Sequence, residues 1–246
     1  MLFISRVQQL CMDVRAFIEE MERLAPPELA EDFDCGKIGL IVEGKPEIRT
    51  VCCALDVTPR VVEEAIRASA DILVVHHTPL WTPVTAITGR NAALFRALLS
   101  SGMNLYVMHT NFDRAPEGVN DALFELLSLE NPEPMTLGLV GDCSITVEEI
   151  ASRLGGNVRV WGDLKKIDRL ALVAGSGFDP EFLAEADRNG ADAYLSAELK
   201  HSVARAAPLP CIEATHYALE APAMRRLAQR KGWQYIDDQP VIRSIP

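Results

Sequence analysis

Long apolar runs, CxxC cysteine pairs and an excess of basic charge are all missing from this 246-residue chain, and each absence removes a class of protein. No apolar stretch approaches the ~20 residues needed to cross a bilayer. The N-terminal MLFISRVQQLC has neither the apolar length nor the small-residue cleavage site of a secretion signal. The six cysteines, Cys11, Cys35, Cys52, Cys53, Cys143 and Cys211, predict reduced, mostly buried thiols in a cytoplasmic protein. Lys and Arg total 24 against 35 Asp and Glu, a net charge of −11, which opposes polyanions and so disfavours nucleic acid as a partner. Low-complexity segments are missing too. Histidine is scarce, with His76, His77, His109, His201 and His216 the only five. Where they fall carries most of the functional reading.

With 48% hydrophobic residues the chain can bury one sizeable core or two modest ones. Val7, Leu10, Val14, Phe17, Ile18, Met21 and Leu24 recur at spacings of three and four, which predicts a first helix stopped by Pro26-Pro27. Apolar strand runs then alternate with capped helices, the pattern of an α/β protein. Strands are expected at 51–55, 72–75 and 105–108. Helices are expected from Thr58-Pro59 to Ala68, over Asn91 to Leu99, and from Pro116 to about Leu127. The stretch LENPEPMT (129–136) has two prolines and no periodicity, so a domain boundary is placed there. After it come a strand at 170–173, the turn Gly175-Ser176-Gly177, a helix capped by Asp179-Pro180, and a strand at 193–195. Pro59 precedes Ala70-Asp71 by the same eleven residues by which Pro180 precedes Ala191-Asp192, in the same order of elements, which points to a duplicated unit. The expected architecture is two similar α/β domains around mixed sheets, 1–127 with 212–246 and 128–211, with a metal site in the cleft at the strand ends.

Three segments collect chemistry where open α/β sheets gather ligands, at the carboxyl ends of strands. DILVVHHTPLW ends a strand in His76 and His77, which share a site only if the chain turns there, since successive strand residues face opposite ways. YVMHTNFD ends another in His109, Thr110, Asn111 and Asp113; an Asx-type turn is the competing reading. PCIEATHYALEAP carries His216 and Glu220 four apart, on one side if the intervening residues are helical; a carboxylate complementing a helix start is the alternative. Convergence of these segments would supply imidazoles and two carboxylates without a thiolate. That donor set suits a pair of zinc, iron or manganese ions with a bridging carboxylate and an acidified water.

These motifs resemble the type-2 GTP cyclohydrolase I homologues, the NIF-three-like dinuclear-metal proteins. The likeness runs from Met12 onward through LAPPELAEDFDCGKIGLIVEG, ALDVTP, ADILVVHHTPLW, HTNFDRAPEGVNDAL, YLSAELKH and THYALE. It implies metal ligands at His76, His77, Asp113, His216 and Glu220, a two-domain α/β subunit and a ring-shaped homohexamer. Ile38 and Ile41 stand where the family commonly has Asn and Gln, and Thr78 separates the histidine pair from its usual proline. The resemblance also makes Met12 the expected natural start.

Outside the five ligands, His109 is either a partner that orients a ligand or a packed strand-end histidine. Glu198, Lys200 and His201 have a proton-transfer or phosphate-contact role or form a solvated helix start. The Gly175–Gly177 turn reads as structural rather than as a phosphate cradle, because Asp179 already caps the next helix. Lys165-Lys166, Arg225-Arg226 and Arg230-Lys231 line a ring's pore or form charged surface. The expected function is a metal-dependent hydrolase acting on a small nucleotide-like substrate through a metal-bound water. The alternatives are a two-metal phosphoesterase and a non-enzymatic metal-loaded ring scaffold.

Overall fold

The computed structural model describes residues 11–164 and 166–242. Val7 and Leu10 of the expected first helix, most of the segment before Met12, and Lys165 lie outside them. In chain order the elements are β1 (Met12–Asp13), α1 (Val14–Leu24), β2 (Gly39–Val42), β3 (Glu47–Ile48), β4 (Val51–Ala54), α2 (Pro59–Arg67), β5 (Ile72–Val75), α3 (Gly89–Ser101), β6 (Asn104–Val107) and α4 (Thr110–Arg114). They continue as α5 (Val119–Leu126), β7 (Glu130–Pro134), β8 (Leu139–Ile145), α6 (Val147–Leu154), β9 (Arg159–Trp161), β10 (Ile167–Leu172), α7 (Pro180–Arg188), β11 (Ala193–Ser196), α8 (His201–Ala206), β12 (Cys211–Glu213), α9 (His216–Lys231) and β13 (Gln234–Tyr235). Among the described residues no helix is long and apolar enough to cross a membrane.

Two compact units divide the chain, Met1–Phe112 with Leu227–Gln239, and Asp113–Arg226 with Pro240–Pro246. The chain passes from one to the other inside α4 and inside α9, whereas the sequence pattern places the divisions at 127 and 212. In the first unit the sheet runs β13-β4-β5-β6-β2. Its first three pairings are parallel, and β2 joins β6 antiparallel. Every residue of β4, β5 and β6 is buried, which explains why these strands read as unbroken apolar runs: a parallel sheet has both faces covered. Val61, Val62, Ala65, Leu94 and Leu98 from α2 and α3 pack on Leu73, Val75, Leu105 and Val107, and Ile38 and Ile41 pack against the same core. In the second unit the sheet runs β7-β8-β10-β11-β12-β9, with a parallel centre of β10, β11 and β12 flanked by antiparallel strands.

The caps fall where the sequence places them. Thr58 Oγ1 accepts from Val61 N, and Asp179 Oδ1 accepts from Glu181 N. Asp71 and Asp192 extend the likeness of the two units to atomic detail. Asp71 Oδ2 accepts from Arg49 N and Thr50 N just before β4. Asp192 Oδ2 accepts from Asp168 N and Arg169 N at the start of β10. Each aspartate thus ties the start of one parallel strand to the start of the next.

Three local expectations are corrected. The first helix begins at Val14, capped by Asp13, because Met12 and Asp13 pair with β3. The helix expected from Pro116 begins at Val119. LENPEPMT contains strand β7, paired antiparallel with β8 inside the second unit. None of the six cysteines is in a disulfide: Cys52, Cys53 and Cys211 are buried, Cys143 is half-buried, and Cys11 and Cys35 are exposed. Burial pushes the Cys52 and Cys211 thiols up to about 11.

Candidate metal centre

In the first unit, β5 delivers its two histidines to a turn. The backbone N–H groups of His76 and His77 both donate to Leu55 O, at 3.1 and 3.0 Å, so the strand ends there and the strict alternation of side chains ends with it. The rings come together, with centroids 4.9 Å apart. His109 follows β6, and its ring centroid is 5.0 Å from that of His76 and 5.7 Å from that of His77. His76, His77 and His109 each present a ring nitrogen within 4.8 Å of the other two, a set that could hold a metal ion.

Two carboxylates orient two of these rings. His77 Nδ1 lies 2.7 Å from Asp56 Oδ1, and His109 Nδ1 lies 2.8 Å from Asp34 Oδ2. A Nδ1–H donating to a carboxylate leaves the ring lone pair on Nε2 and fixes the ring plane, the usual arrangement behind metal-binding histidines. Asp34 is buried on the 3₁₀ turn Asp32–Asp34 and also accepts from Thr110 N at 3.1 Å and Thr110 Oγ1 at 2.5 Å. Burial pushes its carboxyl up, yet the hydrogen bonds from His109 and Thr110 and the attraction of His109 outweigh this and hold it below the ordinary carboxylate value. Thr110 Oγ1 in turn accepts from Glu31 N, which stitches the turn to the start of α4. Asn111 serves structure in another way than an Asx turn, in which the side chain accepts from the residue two further on: it accepts from His109 N, two residues earlier, and donates to Ala25 O.

The second unit holds the other candidates. The interval from His216 to Glu220 is helical, at the start of α9, and His216 Nε2 lies 2.9 Å from Glu220 Oε2. An imidazole nitrogen and a carboxylate oxygen are both metal donors, and this close pair would be available to hold one ion. His216 Nδ1 is 2.9 Å from Glu198 Oε1. Glu198 has φ +64°, a left-handed conformation that costs a non-glycine residue about 1–2 kcal/mol. Strain of this kind persists where the surroundings enforce it, often at functional positions. Asp113 sits on α4, and its carbonyl accepts from Asn120 Nδ2, while Asn120 Oδ1 accepts from Ala174 N.

Asn120 leads to a residue that the sequence places in a merely structural turn. Gly175 has φ +71°, and a Cβ there would stand 2.2 Å from Glu220 Oε1 and 3.4 Å from His216 Nε2. Its carbonyl accepts from Ser196 Oγ and Ala197 N, which pin it. Gly175 therefore makes room for the Glu220 carboxylate. Lys200 and His201 are exposed at the start of α8, and His201 lies edge-on to Trp161 at 6.4 Å. Lys231 and Arg226 pair with Glu20 and Glu125, and Lys166 pairs with Asp168.

The motifs around these residues can be compared with known proteins. A family model described as Duf34/NIF3 (NGG1p interacting factor 3) matches residues 12–234, which include every residue of both groups. The chain belongs to the Duf34/NIF3 family. A relative named GTP cyclohydrolase 1 type 2 homolog from Methanocaldococcus jannaschii is 32% identical over 235 residues, covering 89% of this chain and 94% of the relative. One of the same name from Pyrococcus abyssi is 34% identical over 207 residues, covering 77% and 82%. Among solved structures, reduced HcgD from Methanocaldococcus jannaschii has a TM-score of 0.80 at 30% identity, covering 92% of this chain and 97% of that one. This Duf34/NIF3 chain thus carries histidine and glutamate groups suited to a metal within the fold of its family.

Proposed function

We propose that this chain is a metal-dependent hydrolase of a small nucleotide-like substrate, with two divalent ions held by His76, His77, Asp113, His216 and Glu220. The observation that carries the reading is the His76–His77 pair brought together at the end of β5, ring centroids 4.9 Å apart, with His109 beside it and with His77 and His109 backed by carboxylates. Neutral imidazoles and carboxylates are donors for zinc, iron or manganese. Bound ions supply Lewis acidity and lower the pKa of a water toward about 7. The chain's own residues prepare that chemistry: Asp56, Asp34 and Glu198 orient the imidazoles, and Gly175 leaves the Glu220 carboxylate its place. His109 is the sixth polar group, held by Asp34 beside the histidine pair.

The substrate class rests on the relatives' name, GTP cyclohydrolase 1 type 2 homolog, and GTP is the first compound to test. The reading includes the ring-shaped homohexamer that the family resemblance implies, and a cytoplasmic location, which suits six cysteines outside disulfides. Tag-free protein loaded with each metal in turn is incubated with GTP, and formate and phosphate are assayed. Formate release that vanishes in His77→Ala and Glu220→Ala supports ring opening, and phosphate release with the same dependence moves the reading to a phosphoesterase. No product with any metal overturns it.

A further inference from the structure

Two large aromatic side chains stand exposed beside the histidine trio. Trp81, four residues after His77, is 43% exposed, and Phe33, on the 3₁₀ turn that carries Asp34, is 55% exposed. Neither is a stray surface residue, since both meet His109. The Trp81 ring centroid is 5.0 Å from that of His109 at an interplanar angle of 73°, and it is 6.2 Å from that of His77. The Phe33 centroid is 6.1 Å from that of His109 at 69°. His109 is thus bordered by two rings in edge-to-face contact, and each keeps a large part of its surface open to solvent. Lys37 Nζ lies 5.8 Å from the Phe33 ring centroid, so a cation accompanies the aromatic surface in a chain whose net charge is −11.

Exposed aromatic rings flanking a cluster of candidate ligands offer a surface on which a bound molecule can stack. The occupant that suits it is flat and aromatic, because stacking pairs one ring's face with another and is indifferent to the polar pattern on the ring's edge. A cation alongside favours an anionic substituent on the same molecule. We propose that Trp81, aided by Phe33, is a stacking platform that selects substrates bearing a planar heteroaromatic ring with an anionic group, and that Trp81 is a specificity-determining residue. This inference deepens the hydrolase reading in naming what the site selects, yet the platform is tested by binding alone.

The test is calorimetric titration of metal-loaded wild type, Trp81→Ala and Trp81→Phe with GTP and with tripolyphosphate, which carries the charge without the ring. Metal content and oligomeric mass are measured on the same samples. Loss of one stacking partner weakens binding roughly ten-fold or more. The expected result is that Trp81→Ala weakens GTP by that factor while tripolyphosphate, metal content and mass stay as in wild type, and that Trp81→Phe recovers most of the affinity. Equal weakening of both ligands, unchanged GTP affinity, no GTP binding by wild type, or a change in oligomeric mass with unchanged affinity would each overturn the platform. GTP binding that depends on Trp81 in a protein that releases neither formate nor phosphate would uphold the platform and reject the hydrolase reading, which keeps the two failures apart.

Discussion

Replacing Gly175 by alanine tests how the second unit makes room for its carboxylate. Two costs are superimposed. The first is conformational: φ +71° is left-handed, and an L-residue there costs about 1–2 kcal/mol. The second is steric: the new Cβ would stand 2.2 Å from Glu220 Oε1, and a contact distance of about 3.5 Å requires that oxygen to retreat by roughly 1 Å. Metal–ligand distances tolerate only about 0.2 Å, so the retreat would take Glu220 out of the coordination proposed for it, although Gly175 itself supplies no ligand atom. Gly190→Ala separates the two costs, since Gly190 has φ +74° and a Cβ added there would meet nothing within 4 Å. At about 2–4 °C per kcal/mol for a chain approaching this length, Gly190→Ala lowers Tm by roughly 2–8 °C and keeps full metal content. Gly175→Ala falls further and loses at least half its metal, as read by thermal denaturation and elemental analysis of tag-free protein. Equal Tm losses with equal metal content in the two variants would refute the reasoning.

Further expectations concern the residues behind the ligands. Asp56→Asn, which weakens the hold on His77 Nδ1, lowers metal affinity about 10- to 100-fold with the fold intact, as measured by competition with a coloured chelator and by circular dichroism. Glu198→Gly relieves the strain at φ +64°, worth about 1–2 kcal/mol, while removing an exposed ion pair worth little to stability. Its Tm therefore matches or exceeds wild type as its metal affinity falls, and a drop in Tm with affinity unchanged would count against the assignment. Asp71→Ala and Asp192→Ala each strip a carboxylate from two backbone N–H groups. Each destabilises by about 2 kcal/mol in urea titrations, and grossly unequal effects would contradict the equivalence of the two strand-to-strand ties.

What the sequence reveals follows from where apolar and cap signals are strong. β4, β5 and β6 are buried on both faces and read as apolar runs, and α2 and α7 announce themselves by Thr58-Pro59 and Asp179-Pro180. β7 is invisible for the opposite reason. All five of its residues are exposed and two are proline, which an edge strand tolerates, so its only specification is the pairing with β8. Met12 and Asp13 read as helix because local periodicity cannot show a pairing with residues 47 and 48. At the site, the histidines and Glu220 stand out by type and position. Asp34 and Asp56 lie unassigned inside the motifs DFDCG and ALDVTP, because a carboxylate that orients a ring is recognised only when the ring is seen. Gly175 reads correctly as a turn, and its second duty needs the position of Glu220, 45 residues away in the sequence.

The central claim is that His76, His77, Asp113, His216 and Glu220 together hold two divalent ions. The most direct measurement is the metal-to-chain ratio of tag-free protein, stripped with chelator, reloaded and freed of excess ion, for wild type, His76→Ala and Glu220→Ala. About two ions per wild-type chain and at least one fewer in each variant are predicted. A wild-type chain that retains less than one ion, or variants that retain as much as wild type, would contradict it.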